Sequence, residues 1–210
     1  MSDGVAADDL PYLSETLFKN LDTSDFDNTP RKFMCHDGLD ELVTRDSVLD
    51  AMQMEEPLDD DDRQLVNFIL KNAKKIFATS VSIELDQVEG LLKKAMQLFQ
   101  KKGIDDSKLP FKDGPHSTLQ DLEPGIKHRS KIWRENKVHE FFNNQWRFLV
   151  PVFLTHPETN MDNYNLPAST IFPVLKKEEV LEKGSFGKVF KCSIHPKHIK
   201  YSRNPVSLAS

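Results

Sequence analysis

The sequence is poor in cysteine. Cys35 and Cys192 are the only two in 210 residues; they lie far apart and form no CxxC pair and no secretory spacing. That composition favours a reducing, intracellular compartment, cytoplasmic or nuclear. Long hydrophobic runs are lacking too. No stretch approaches the 18 or so apolar residues a membrane-spanning helix needs, so no span is expected. The opening Met1-Ser-Asp-Gly-Val5 has neither a basic segment nor an apolar run, and it does not read as a secretory leader. Basic residues are scarce in the first third. Residues 1–62 hold 18 acidic and 4 basic side chains, whereas residues 63–210 hold 15 and 24. The acidic end disfavours nucleic-acid binding, and the net charge of -5 hides an uneven distribution. The two halves attract each other only weakly across exposed surfaces, because salt screens them.

What is present is enough apolar matter for a core: 38% hydrophobic residues, with 14 phenylalanines. The length fits one full domain or two small ones. Residues 1–36 are acidic and carry Pro11 and Pro30, so they read as a flexible arm. Within it Leu13, Leu17 and Phe18 recur at near-helical spacing. A short amphipathic helix over 12–20 would make them a docking segment for a protein partner's groove.

Residues 37–102 read as a helical region. The first helix, 38–54, puts Leu39, Leu42, Val43, Leu49 and Met52 on one side, with Asp37 and Gly38 at its start and Pro57 beyond its end. Asp59-Asp-Asp-Asp62 follows. Four consecutive carboxylates do not converge on one ion from a regular element, and the calcium-loop spacing is missing. They suit the start of a helix, where free N–H groups favour negative charge. That helix is expected over 61–78, with Lys71, Lys74 and Lys75 toward its end. A break at Thr79-Ser80 leads to a helix over 83–101 that stops at Gly103. The two are expected to form an antiparallel hairpin packed on 38–54. Lys93, Lys94, Lys101 and Lys102 read as a solvated face, since no aromatics alternate with them as a nucleic-acid surface would require.

Residues 103–126 read as a linker with Pro110, Pro115 and Pro124. His116 and His128 have no partner at metal-ligand spacing. A helix over 127–147 carries Ile132, Trp133, Val138, Phe141, Phe142 and Trp146, with Phe142 and Trp146 on one face and His139 in a structural place. Phe148–Leu154 reads as a strand that Pro151 confines to an edge or a kink.

Ile171-Phe-Pro-Val-Leu175 reads as another strand, then comes Leu181-Glu-Lys-Gly-Ser-Phe-Gly-Lys-Val-Phe190, then Val189, Phe190 and Ile194 as a returning strand. Gly184 and Gly187 lack side chains, so backbone N–H groups there can approach phosphate oxygens. A Walker-type loop is excluded, because Lys188 is followed by Val189 and not by Ser or Thr. Cys192 and His195, three apart, have no third group to orient them as a nucleophile pair.

The segment 181–190 resembles the glycine-rich loop of eukaryotic-type protein kinases, G-x-G-x-x-G-x-V. Gly184 and Gly187 match the second and third glycines and Val189 the valine; Glu182 stands at the first glycine. Phe172-Pro173 and Phe190-Lys-Cys-Ser-Ile-His-Pro196 extend the resemblance over about residues 140–200, to kinase-domain proteins of filamentous fungi with a helical region in front of the kinase domain. The resemblance implies a mainly α fold, a helical N-terminal region followed by a small incomplete β element like the start of a kinase N-lobe, over 148–198, with a tail at 199–210. It implies that Lys183, Gly184, Ser185, Phe186, Gly187 and Val189 form a nucleotide-binding segment for ATP with magnesium. A working kinase also needs a third-strand lysine, a helix glutamate, a catalytic aspartate and a metal-binding aspartate. Lys197 and Lys200 lie in a His- and Pro-containing turn, and 21 residues follow Val189. The expectation is a truncated kinase-like protein without phosphotransfer activity, serving as an interaction module. The alternatives are an ATP-binding serine/threonine kinase fragment and a helical interaction protein whose glycine turn is coincidental.

Overall fold

The computed structural model describes residues 12–113, 117–123, 132–155, 166–180 and 190–201. Among them are seven α-helices and three separate two-stranded sheets. The chain is therefore mainly helical with small, disconnected β elements.

The first described element is α1, Leu13–Lys19. Leu13 and Leu17 are buried and Phe18 is exposed. Strands β1 (Leu21–Ser24) and β2 (Arg31–Met34) then form an antiparallel pair from Leu21↔Met34 to Ser24↔Arg31. Residues 12–36 thus differ from the flexible arm expected over 1–36. Leu13, Leu17, Leu21 and Met34 join the main core and Phe33 a second one, because burying these five apolar side chains outweighs the local excess of carboxylates. Leu13 and Leu17 are consequently not open to a partner's groove.

The expected helix over 38–54 is two short ones, α2 (Gly38–Leu42) and α3 (Arg45–Ala51). Thr44 separates them, and its hydroxyl accepts from Ser47 N–H while Ser47 Oγ accepts from Thr44 N–H. Helix α4, Asp60–Asn72, begins where the aspartates are. Asp59 Oδ1 accepts from Asp62 N–H at 2.8 Å, and Asp60, Asp61 and Asp62 occupy the first turn.

The next break falls at Ala73, not at Thr79-Ser80. Helix α5, Lys74–Ser82, runs through that pair. Thr79 and Ser80 are buried and remain helical because their hydroxyls donate back to Lys75 O and Ile76 O, at 2.7 and 2.9 Å. A 3-10 turn at Leu85–Gln87 precedes α6, Leu91–Lys102, which ends on Gly103 at φ 63. The inserted α5 changes the predicted hairpin. Lys93, near the start of α6, meets Asp62, near the start of α4, at 2.7 Å. A simple antiparallel pair would have set Lys93 against the end of α4.

The expected linker over 103–126 contributes to the core through Phe111, Leu119 and Leu122. Helix α7 spans Glu135–Gln145, shorter than the 127–147 expected. Its Phe141 packs with Phe99, Phe111 and Trp133, ring centroids 5.6–6.5 Å apart. Buried Gln145 completes this corner. Its Oε1 accepts from Phe111 N–H and its Nε2 donates to Phe111 O, both at 2.8 Å. The side-chain amide replaces a neighbouring strand for a backbone that has none.

The last elements are β3 (Phe153–Thr155), β4 (Val174–Glu179), β5 (Phe190–Ile194), a 3-10 turn at Pro196–His198 and β6 (Ile199–Tyr201). Pro151 delays β3 relative to the 148–154 strand expected, and β4 starts three residues after Ile171. The presumed tail from 199 instead opens with β6, which pairs in parallel with β3. No helix among the described residues is long and apolar enough to cross a membrane.

Candidate functional site: a hairpin held on the helical body

Strands β4 and β5 pair antiparallel, from Val174↔Ile194 to Glu179↔Phe190, with an irregularity between Val174 and Lys176. They therefore flank residues 180–189 as the two arms of a hairpin. Glu182, Lys183, Gly184, Ser185, Phe186, Gly187 and Val189 lie outside the described residues, as do His116 and His128. The arms before and after this stretch are both strands, β4 and β5.

The hairpin is anchored chiefly by polar contacts to residues 22–31. Val174 O accepts from Asp25 N–H at 2.7 Å, and Phe172 O accepts from Ser24 Oγ at 2.5 Å. Arg31 donates to Ser169 O at 2.8 Å and to Thr170 O at 3.4 Å. Lys177 donates to Phe26 O at 2.8 Å while its ammonium lies 5.2 Å from the Phe26 ring centre and 4.2 Å from that of Phe190. One side chain thereby ties β5 to the loop after β1. On the solvent side Lys176 and Glu178 pair, which raises the lysine and lowers the carboxyl pKa, mainly through their hydrogen bond.

A cluster of histidines secures the far end. His198 is buried, with Nδ1 2.9 Å from Pro151 O and Nε2 accepting from His36 N–H at 2.9 Å. A carbonyl only accepts, so Nδ1 carries the proton and the ring is neutral. Burial holds its pKa below the usual histidine value, opposed by the Pro151 carbonyl and reinforced by His195 and His36. The rings of Phe33, His36 and His195 pack around it edge-on. His195 Nε2 lies 3.4 Å from Asp22 and its Nδ1 accepts from Lys197 N–H at 3.2 Å, so both ring nitrogens have partners other than exposed Cys192. Of the lysines beyond β5, Lys197 meets Glu41 at 3.3 Å, and Lys200 is in β6.

A cavity of about 270 Å³ opens beside this cluster, lined by Cys35, His36, Lys71, Lys74, Lys75 and Asp106 among others. Lys74 and Lys75 were expected at a helix end but stand in the first turn of α5, where the dipole disfavours cations. Asp106 offsets this. Its two carboxylate oxygens accept from the N–H groups of Lys75 and Ile76, at 2.9 and 3.0 Å, and Lys74 is drawn off by Asp40 at 2.5 Å. Burial still pushes the Asp106 carboxyl up, despite the two N–H donors. Burial also raises the Cys35 thiol pKa, against the pull of Lys197. Among the described residues no three His, Cys, Asp or Glu side chains converge as a metal site.

The sequence missed Gln145, His198 and Asp106. Each acts on backbone remote in sequence, and no local pattern announces that. The class defined by fold and site is a mainly helical body that presents a separate two-stranded hairpin. No family model matches the chain, and no curated protein or solved structure matches it either.

Proposed function

We propose that this chain is a protein-kinase-like interaction module, in which a helical body holds a glycine-loop hairpin ready for a protein partner, and that these 210 residues do not themselves transfer phosphate. The observation that carries the reading is the state of the hairpin. Its strands have no further strand partner among the described residues, and Leu175, Val180 and Phe190 are 42%, 43% and 38% exposed. An edge of this kind with apolar side chains beside it suits strand addition by another polypeptide. The partner surface is accordingly this hairpin, not the Leu13 and Leu17 positions, which are buried.

The kinase-like part of the reading rests on Gly184, Gly187 and Val189 and on the antiparallel arms that flank them. Phosphoryl transfer depends on charge neutralisation by lysine and metal. Glu182 adds a negative charge where phosphates would sit, and Lys197 is engaged by Glu41. The second reading, an ATP-binding loop with magnesium, is favoured only by the two glycines.

Two measurements separate them. A photo-crosslinking residue at Phe190 should trap a discrete partner in cells, and the same residue at exposed Val88 should not. Calorimetry with magnesium-ATP should show no saturable binding. Tight binding, with phosphate release that disappears in Gly184→Val/Gly187→Val, would replace the interaction module with the nucleotide reading.

A further inference from the structure

A second cavity, of about 400 Å³, lies between α1, the turn after α5 and the end of α7. Its wall includes Ser14, Phe18, Lys19, Leu21, Ser82 and Arg147. Arg147 is the unusual member. Its backbone is fixed, with its N–H donating to Asn144 O at 3.1 Å and its carbonyl accepting from Met34 N–H at 2.8 Å. Its guanidinium is half-buried, and no hydrogen bond or ion pair engages it among the described residues. A guanidinium carries five donors and cannot shed its charge, so partial burial without a partner is costly. The other cation, Lys19, is already 3.5 Å from Glu15. Phe18, 57% exposed, and Leu21 supply an apolar wall.

We propose that this cavity binds a small organic monocarboxylate, its carboxylate on Arg147 and its apolar body against Phe18 and Leu21. The planar guanidinium matches a carboxylate through two parallel hydrogen bonds. The volume is within the range of small-molecule sites. The charge is limited to one by the rest of the wall. Glu15 and Glu84 also line it, so a second negative charge on the ligand meets carboxylates. Asp86 is buried behind this wall, where burial pushes its carboxyl pKa up and Ser14 opposes the shift. Polyanions such as nucleotides are therefore selected against. None of the wall belongs to β4 or β5, so the site stands or falls independently of the hairpin.

Hexanoate is the probe, followed by amide chemical shifts and by the melting temperature of the full chain. Saturable shifts at Phe18, Leu21 and Arg147, with a raised melting temperature, are expected. Hexanol, inorganic phosphate and magnesium-ATP should give neither. Arg147→Met should weaken hexanoate binding about tenfold or more, and Arg147→Lys less than that. Should Arg147→Met fail to fold, Phe18→Asp tests the same site from an exposed position and should weaken binding by repulsion. Absence of saturable hexanoate binding, equal binding of hexanol or phosphate, or indifference to these substitutions overturns the proposal.

Discussion

Helix α5 and strand β5 divide the molecule into two kinds of structure. In α5 the run Ile76–Val81 is buried throughout, hydroxyl residues included. In β5 Phe190, Lys191, Cys192 and Ser193 are exposed, and only Ile194 is partly covered. The helical body is held mainly by volume filling, with its few buried polar groups, such as Gln145, paired inside it. The hairpin is held by a handful of directional contacts to residues 22–31, any of which can be lost alone. A partner that pulls on the hairpin would thus not unfold the body, which is what a presented element requires.

The sharpest way to test that contrast is to damage the body. Phe99 is fully buried and meets Phe111, Phe141 and Trp133. Phe99→Ala should cost about 3–5 kcal/mol in urea unfolding, and the loss should register equally at every probe within the helical body. Gln145→Ala comes next. It leaves the Phe111 N–H and C=O without their 2.8 Å partners inside the core. About 2–4 kcal/mol is expected, again throughout the body, with Gln145→Leu no better because the loss is polar and not one of volume.

The histidine cluster lies on the seam between the two regions and gives a pH test. His198 has a native pKa below its ordinary value of 6.5. Its stabilising effect is complete above the unfolded value of 6.5 and is lost as pH falls toward the lower native value, because the unfolded chain takes up the proton first. Protonation also removes the lone pair that accepts from His36 N–H. His36, His195, Cys35, Asp22, Asp37, Glu41 and Lys197 surround the cluster, so the comparison must be between wild type and His198→Asn. The expected outcome is a fall in melting temperature from pH 7 to pH 5 that is shallower in the variant. An equal slope in both would show that His198 is not the group responsible.

These differences also explain what could be seen in the sequence. The aspartates at 59–62 declared a helix start because capping is local, and Gly103 declared an end for the same reason. Of the strands beside the glycines, β5 was legible from Phe190 and Ile194, whereas β4 overlaps the expected Ile171–Leu175 only at Val174 and Leu175 and continues through Lys176–Glu179, which carry no apolar signal. The Ala73 break was hidden, since alanine carries no stop signal and the true determinant, Asp106, is more than thirty positions away. Residues 12–36 were misread because acidity and two prolines outvoted five apolar side chains whose partners lie elsewhere in the chain. The Arg147 cavity was invisible for the same reason: its wall is assembled from α1, α5 and the end of α7.

The smallest effect belongs to the hairpin itself. Lys177 touches the loop after β1 and the first residue of β5 together, through Phe26 O, the Phe26 ring and the Phe190 ring. Lys177→Met keeps the length and the apolar stem but removes the ammonium. The cation–ring contacts at a partly solvated position are worth about 0.5–1 kcal/mol, and the single hydrogen bond to Phe26 O about as much. The expected change in global stability is below about 1 kcal/mol, because the body does not depend on the hairpin. Amide exchange should tell a different story. The β4–β5 amides should exchange several-fold faster in the variant, while those of α5 and α6 keep their wild-type rates. If α5 amides accelerate in step with those of β5, the two regions unfold as one unit and the division drawn between them fails.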